Sequence, residues 1–171
     1  MNRAIFLDRD GVINEDVAYP FKPEHILFKP DIFNFCKKAQ DAGYLLIVVT
    51  NQAGVARGYF TEDDVKALHQ WMGERFTHEG ITISAFYYCP FHPKAEIKKY
   101  RQDSNCRKPG PGMILQAVKD FDIDISRSMV VGDKPSDRIE LEGLKSVIVK
   151  SNYTPVGYDA ETLSDVKSLL L

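Results

Sequence analysis

Short apolar runs alternate along the chain with stretches in which apolar residues recur at helical spacing. The runs predict β-strands at residues 4–7, 44–49, 81–88, 128–132 and 146–149. The second run is apolar throughout, as in a strand covered on both faces. Helices are predicted at residues 31–42, from residue 61 through the apolar positions 65, 68, 71, 72 and 76, at 111–121 and at 161–171.

This alternation of strands and helices predicts an α/β fold, a three-layer α/β/α doubly wound parallel sheet with right-handed crossovers. Ligands of such sheets bind at the carboxyl ends of the strands. Two long loops, at about residues 9–29 and 89–110, exceed the roughly 12 to 15 residues beyond which a loop is usually functional. Neither has the length of a cap domain, so we expect a single domain over residues 1–171 without a large cap.

Composition and charge limit the classes of partner and the cellular compartment that we expect for this protein. The formal net charge is −2 and the basic residues are spread along the chain, which argues against a nucleic-acid or membrane-surface partner. No apolar run approaches the roughly 18 residues of a membrane span, and no secretory signal is evident. We therefore expect a cytoplasmic monomer whose three cysteines are reduced thiols.

The first candidate motif is FLDRDGVIN at residues 6–14, directly after the first predicted strand. Alternate side chains of a strand point the same way, so Asp8 and Asp10 share one site if the strand geometry persists to Asp10. Two adjacent carboxylates need a cation or a shared proton, and Mg²⁺ supplies that charge. Gly11 allows a sharp turn in which backbone N–H groups approach an anion. On its own the motif fits a solvated turn equally well.

The second and third motifs add groups that suit a phosphate. In VVTNQAGVARG, Thr50, Asn51 and Gln52 offer hydrogen bonds after a buried strand, and Arg57 adds a cation. In CRKPGPG, Lys108 can balance the charge of phosphate and carboxylates, and Arg107 can hold an anion through two hydrogen bonds. Taken singly, these are also typical of a polar loop and a solvated basic turn.

The fourth motif is VVGDKPSD at residues 130–137, after the fourth predicted strand. Asp133 and Asp137 are oxygen donors that would complete a Mg²⁺ site with Asp8, and Lys134 is a further phosphate contact. The alternative is an N-cap aspartate at a strand-to-helix junction. All four motifs in this order, each after a predicted strand or just before a helix, are more specific than any one of them.

Together the motifs resemble those of the haloacid dehalogenase-like phosphatases over nearly the whole chain. The similarity is greatest to the heptose bisphosphate phosphatase group, through FLDRDGVIN, TNQAGVARGYF, CRKPGPGM and GDKPSD, with the histidinol-phosphate phosphatases as near relatives. The resemblance implies a Mg²⁺-dependent phosphatase acting on a small phosphosugar. In it Asp8 is the nucleophile that becomes an aspartyl phosphate, and Asp10 is the general acid and base.

The resemblance also implies the remaining roles. Mg²⁺ is held by Asp8, the Asp10 carbonyl and Asp133, while Asp137 orients the motif rather than binding metal. Thr50 and Lys108 stabilise the transferring phosphoryl group. The expected substrate contacts are Arg9, Asp16, Tyr19, Asn51, Gln52, Arg57, Arg107 and Lys134. His25, His69 and His78 are expected to be surface or helix residues rather than ligands.

One feature of the resembling group is incomplete here. The group carries a zinc loop of the form CxH…CxC before RKP, whereas this chain reads Cys-Pro-Phe-His at 89–92 and Ser-Asn-Cys at 104–106. Cys89, His92 and Cys106 could supply three ligands, but Ser104 is a poor fourth because a hydroxyl competes badly with thiolate for zinc. We therefore expect no structural zinc.

Two other functions remain open on the residues alone. One is hydrolysis of histidinol phosphate or another phosphometabolite, which depends on loop contacts. The other is a non-catalytic phosphate-binding module, against which the second carboxylate Asp10 argues, because binding alone does not require it. Phosphatase activity toward a simple aryl phosphate with Mg²⁺ would separate catalysis from binding.

Overall fold

A computed structural model describes residues 1–167 and residue 170, and its centre is one five-stranded sheet in which all strands are parallel. The strands lie in the order β3-β2-β1-β4-β5. Their bounds are β1 Arg3–Leu7, β2 Tyr44–Asn51, β3 Ile83–Cys89, β4 Met129–Gly132 and β5 Lys145–Ile148. The chain order changes direction at β1, which places the switch point beside the first motif.

Five helices accompany the strands in the described part of the chain. Their bounds are α1 Ile32–Asp41, α2 Ala53–Ala56, α3 Glu62–His78, α4 Gly112–Phe121 and α5 Leu163–Lys167. The sequence pattern does not predict α2, a single turn directly after β2. The predicted closing helix at 161–171 is observed as α5, and the part of that prediction at residues 168, 169 and 171 lies outside the described residues.

Two buried clusters cover the two faces of the sheet. On β1, Ile5 and Leu7 face the cluster formed with α1, α3 and α5, whereas Ala4 and Phe6 face the one formed with α4. Successive strand residues point to opposite faces, so the central positions of a strand covered on both sides are apolar. This arrangement confirms the predicted three-layer parallel architecture.

The third strand begins two residues later than predicted. Ile81 is buried in the core, but pairing with β2 starts only at Ile83. The apolar run thus marks where the chain enters the core rather than where the ladder begins. No helix among residues 1–167 and 170 is long and apolar enough to cross a membrane.

Candidate active site

The four motifs meet at the carboxyl end of the sheet, around a cavity of about 410 Å³. A cavity of this size suits a small organic ligand. The wall includes residues from all four motifs and from the loop after the first. They are Asp8, Asp10, Asp16, Val17, Ala18, Tyr19, Pro20, Thr50, Asn51, Gln52, Ala53, Gly54, Arg107, Lys108, Lys134, Ser136, Asp137 and Tyr153.

A turn, not a continued strand, brings the first two carboxylates to the cavity. Strand β1 ends at Leu7, and the Arg9 carbonyl accepts hydrogen bonds from three backbone N–H groups, those of residues 12, 13 and 14. Asp8 and Asp10 nevertheless both line the cavity. Gly11 has φ +98°, and a Cβ there would lie 2.1 Å from Oδ2 of Asp133. Only glycine therefore allows the turn to pack against the fourth motif.

Asp8 lies between two lysines at the base of the cavity. Lys108 Nζ donates to Asp8 Oδ1 at 2.9 Å, and Lys134 Nζ lies 3.9 Å from Oδ2. Burial alone would raise the pKa of Asp8, but the charges of Lys108 and then Lys134 hold it below its ordinary value. The Asp8 carboxylate is therefore an anion at neutral pH, the state that a nucleophile needs.

Three predicted ligand groups converge on one positive charge. Besides its approach to Asp8, the Lys134 ammonium lies 3.4 Å from the Asp10 carbonyl oxygen and 3.4 Å from Asp133 Oδ1. Burial and the negative charge of Asp8 raise the pKa of Asp133 to about 8. The raised pKa means that this cluster of oxygen atoms is stabilised by added positive charge. A hard divalent cation such as Mg²⁺ would supply that charge.

Asp137 completes the acidic cluster with Asp8 and Asp133, whose ligand atoms lie within 4.8 Å of one another. Both oxygens of Asp137 already have partners in the protein. Oδ1 accepts from Lys108 Nζ at 2.6 Å, and Oδ2 accepts from the backbone N–H groups of Asp133 and Lys134 at 3.0 and 3.1 Å. These contacts suit the predicted role of orienting the loop better than that of a metal ligand.

The Asp10 carboxylate is held by several donors. Asn14 donates to Oδ1 at 3.0 Å, and Gln52 donates to Oδ2 at 3.4 Å. Arg9 donates to both oxygens, at 2.9 and 3.1 Å. The Arg9 side chain has 0% of its surface exposed, which corrects the prediction that it contacts substrate. The turn after β1 directs the Arg9 side chain inward, so its positive charge pairs with Asp10 inside the protein.

The second motif connects two walls of the cavity. Thr50 is buried and accepts a hydrogen bond from Gln52 at 2.9 Å. Asn51 accepts from the backbone N–H of Lys108 at 2.9 Å and donates to its carbonyl at 3.3 Å. Asn51 thus fixes the backbone of the third motif as well as lining the cavity, and it positions Lys108 beneath Asp8.

Arg107 is the second cation of the third motif that lines the cavity, beside Lys108. It is half-buried, and its Nη1 is buried without a hydrogen-bond partner among the described residues. Burial and the nearby charge of Arg57 lower the Arg107 pKa. Arg57 itself is exposed and is not among the residues that line the cavity, so its predicted contact with substrate stays a prediction. Asp16 and Tyr19 line the cavity, and their predicted contact with substrate stays a prediction.

Sequence reasoning missed a group of residues after β5. Ser151 and Thr154 donate to the Asp133 carbonyl at 2.6 and 3.1 Å, which anchors the fourth motif. Tyr153 lines the cavity, and its ring centroid lies 4.8 Å from Lys134 Nζ. They could have been predicted from their position just after the fifth strand, because its carboxyl end lies at the same edge of the sheet.

The cysteines differ from the sequence-based prediction. Cys89 and Cys106 form a disulfide, whereas Cys36 is buried and free. Reduced thiols at all three positions were therefore the wrong prediction. The two positions that correspond to zinc ligands in the resembling group lie next to each other in the fold. The bond between them joins the end of β3 to the residue before Arg107. Sulfurs bonded to each other are not thiolate ligands.

Comparison with known proteins matches the part of the chain that contains the candidate site residues of the four motifs. The family model described as polynucleotide kinase 3 phosphatase matches residues 7–156, most of the chain. The chain is 53% identical over 136 residues to a D-glycero-alpha-D-manno-heptose-1,7-bisphosphate 7-phosphatase of Burkholderia mallei, covering 80% of this chain and 72% of that protein. It is 39% identical to the corresponding beta-anomer enzyme of Pasteurella multocida, covering 99% and 97%.

Solved structures show the same fold. A haloacid dehalogenase-like phosphatase from Mesorhizobium loti superposes with a TM-score of 0.83 at 32% identity, covering 99% of this chain and 86% of that one. The D,D-heptose 1,7-bisphosphate phosphatase of B. bronchiseptica, solved with magnesium and phosphate, gives 0.81 at 26% identity, covering 98% and 97%. With four motifs at one edge of the sheet and relatives along its whole length, the chain belongs to the haloacid dehalogenase-like phosphatases, within the family matched as polynucleotide kinase 3 phosphatase.

Proposed function

We propose that this protein hydrolyses the 7-phosphate of a D-glycero-D-manno-heptose 1,7-bisphosphate through an aspartyl phosphate at Asp8. The observation that carries the proposal is the anionic, buried Asp8 at the floor of the cavity, bonded to Lys108 at 2.9 Å with Asp10 on the same wall. The names of the relatives from B. mallei and P. multocida support the substrate.

Two carboxylates divide the work. In the first step an Asp8 oxygen attacks phosphorus, the bond from phosphorus to the sugar oxygen breaks, and Asp10 gives a proton to the leaving alkoxide. In the second step Asp10 takes a proton from water, whose oxygen attacks the aspartyl phosphate and releases phosphate with the Asp8 carboxylate restored. Lys108 and Thr50 would stabilise the phosphoryl oxygens in both steps.

Asp8, the Asp10 carbonyl and Asp133 are the groups that would hold Mg²⁺. When bound, the ion neutralises the charge of the phosphoryl group and of the carboxylates. Asp137 would keep Lys108 and the Asp133 loop in place, through the three contacts to its two oxygens. The same three groups surround the positive charge of Lys134, which supports this assignment of ligands.

A second phosphate on the substrate would suit the open end of the cavity. Arg107 lines the cavity, and its Nη1 has no hydrogen-bond partner among the described residues, so it is a donor that a phosphate oxygen could use. His92 lies near the charges of Arg107 and Arg57, which together with burial lower its pKa. This local excess of positive charge favours a bisphosphate over a monophosphate.

The test is a phosphate-release assay on both heptose bisphosphate anomers, the heptose monophosphate, histidinol phosphate and an aryl phosphate. We expect Mg²⁺-dependent activity that is highest on a bisphosphate, lost with a chelator and recovered when Mg²⁺ is added. Asp8→Asn should abolish turnover, and Asp10→Asn should lower it by about 10²- to 10⁴-fold. Asp41→Asn is the control, because the Asp41 side chain is 64% exposed and its ion pair with Lys37 lies on the surface.

Four outcomes would contradict parts of the proposal. Activity in Asp8→Asn equal to that of the unmodified protein would overturn the covalent mechanism. Full activity after exhaustive chelation would overturn the metal site. Faster hydrolysis of histidinol phosphate than of every phosphosugar would replace the substrate while leaving the chemistry unchanged, and no release of phosphate from any compound would favour a binding module.

A further inference from the structure

A fully buried arginine holds the carboxylate of Asp10. The Arg9 guanidinium donates from Nε to Oδ1 at 2.9 Å and from Nη2 to Oδ2 at 3.1 Å. Such a paired contact fixes the plane of a carboxylate as well as its position. The Nη2 group also donates to the Pro20 carbonyl at 2.9 Å, which connects the same guanidinium to the cavity wall.

The remaining end of the guanidinium meets a histidine from a distant helix. Nη1 of Arg9 lies 3.2 Å from Nε2 of His69, which is on α3 and only 5% exposed. An arginine can only donate, so Nε2 must be the unprotonated acceptor and the ring neutral. Burial and then the charge of Arg9 lower the pKa of His69 to about 3, in agreement with this state.

The histidine ring is itself held in place. It stacks on Phe86 of β3 with ring centroids 4.8 Å apart and an angle of 22° between the planes. Replacing the ring by one without an acceptor would leave a buried N–H of Arg9 unpartnered, which costs about 1 to 3 kcal/mol unless the guanidinium moves. Because Arg9 contacts both Asp10 oxygens, its movement would tilt the carboxylate.

We propose that His69 is a positioning residue for catalysis, which sets the orientation of the Asp10 carboxylate through the buried guanidinium of Arg9. The inference rests on the proposed function, since it needs Asp10 to transfer protons. His69 touches no substrate. It acts by supplying the acceptor that keeps Arg9, and hence Asp10, in one orientation.

The test compares three substitutions that treat the acceptor differently. His69→Phe keeps an aromatic ring against Phe86 and removes the acceptor. His69→Gln can place a carbonyl oxygen near the former Nε2, whereas His69→Asn is too short to reach Arg9. We expect kcat to fall by about 10- to 100-fold in the Phe and Asn variants, with KM changed less than about twofold, and to be largely retained in the Gln variant.

A second measurement separates positioning from general loss of structure. On an Asp10→Asn background, His69→Phe should change the residual kcat by less than about twofold, because the group it orients is already disabled. Thermal unfolding of each variant shows whether it is folded, and the Gln and Asn pair remains informative where the Phe variant does not fold.

The inference fails if a folded His69→Phe protein has unchanged kcat, if Gln and Asn variants are equally impaired, or if His69→Phe costs as much in the Asp10→Asn background as alone. Each of these results leaves the proposed function intact, provided that the unmodified protein hydrolyses phosphate esters and that Asp10→Asn lowers this activity by about 10²- to 10⁴-fold. An unmodified protein without Mg²⁺-dependent activity would instead refute the proposed function.

Discussion

At the scale of single residues, Lys108 is the centre of the site. Its ammonium has three N–H donors, and the structure provides three acceptors: Asp8 at 2.9 Å, the Val49 carbonyl at 3.0 Å and Asp137 at 2.6 Å. Burial would lower the pKa of Lys108, but the charges of Asp8 and then Asp137 raise it above its ordinary value. A buried lysine therefore stays charged because two carboxylates share it.

Removing one of these carboxylates should be costly. We expect Asp137→Asn to lower the free energy of unfolding by about 3 kcal/mol, because an amide leaves Lys108 with one buried charge partner instead of two. Urea unfolding at neutral pH measures the change. Asp41→Asn provides the comparison, and we expect less than about 0.5 kcal/mol there because its ion pair with Lys37 is on the surface.

An equal, small effect at both positions would contradict this account of Lys108. The same Asp137→Asn protein should also lose phosphatase activity, since the Oδ2 contacts to Asp133 and Lys134 hold the fourth motif. A variant that is destabilised but fully active would show that Asp137 stabilises the fold without orienting the site.

At the scale of elements, one glutamate ties three segments together. Glu62 is the first residue of α3, and its two oxygens accept from the hydroxyls of Tyr88 on β3 and Tyr100, each at 2.7 Å. Tyr100 ends a short 3-10 helix, Lys98–Tyr100, in the long loop before the third motif. These two hydrogen bonds lower the pKa of Glu62. The helix start therefore braces the loop that leads to Arg107.

We expect Glu62→Ala to lower the free energy of unfolding by about 1 to 2 kcal/mol more than Asp63→Ala does. Both acids are in the first turn of α3 and feel the same helix dipole, but Asp63 is exposed and accepts no tyrosine hydrogen bond from the described residues. Denaturant unfolding of both variants at pH 7 isolates the two tyrosine contacts.

The difference should also depend on pH. The folded pKa of Glu62 lies below its ordinary value of 4.5, so its contribution is complete above that value and is lost as pH falls through the folded pKa. Unfolding measurements at pH 7 and pH 3 should show a smaller gap at the lower pH. A gap that widens on acidification would mean that the carboxylate is not the stabilising form.

At the scale of the whole molecule, a disulfide joins the sheet to the catalytic loop. Cys89 ends β3 and Cys106 precedes Arg107, and the two are separated by 17 positions in the chain. The loop between them contains His92 and the 3-10 helix Lys98–Tyr100. A crosslink here restricts the loop in the unfolded chain and holds Arg107 at the cavity in the folded one.

We expect the purified protein to contain no stoichiometric zinc, because the sulfurs of Cys89 and Cys106 are bonded to each other. Elemental analysis after purification without added zinc measures the metal content directly. A zinc-selective chelator should leave both the melting temperature and the Mg²⁺-supported activity unchanged. One zinc per chain, lost on Cys89→Ser, would show that the two sulfurs serve as ligands.

The sequence alone determined the architecture and the groups that gather at the cavity. Alternating apolar strands and amphipathic helices leave a parallel sheet covered on both faces as the arrangement that buries them. Parallel strands have their carboxyl ends at one edge, so motifs that follow strands must meet there. For this reason Asp8, Thr50 and Asp133 could be predicted as neighbours. The resemblance added Lys108, which is 100 positions from Asp8 in the chain.

Only the tertiary structure decided which partner each polar side chain takes. The resemblance implied that Arg9 contacts substrate, but the turn after β1 directs it inward to His69, 60 positions away on α3. Likewise, the sequence predicted free thiols at Cys89 and Cys106, but the fold brings the two residues together and they form a disulfide. Such pairings depend on the distances and angles between separately packed elements, and no local preference of the chain encodes those.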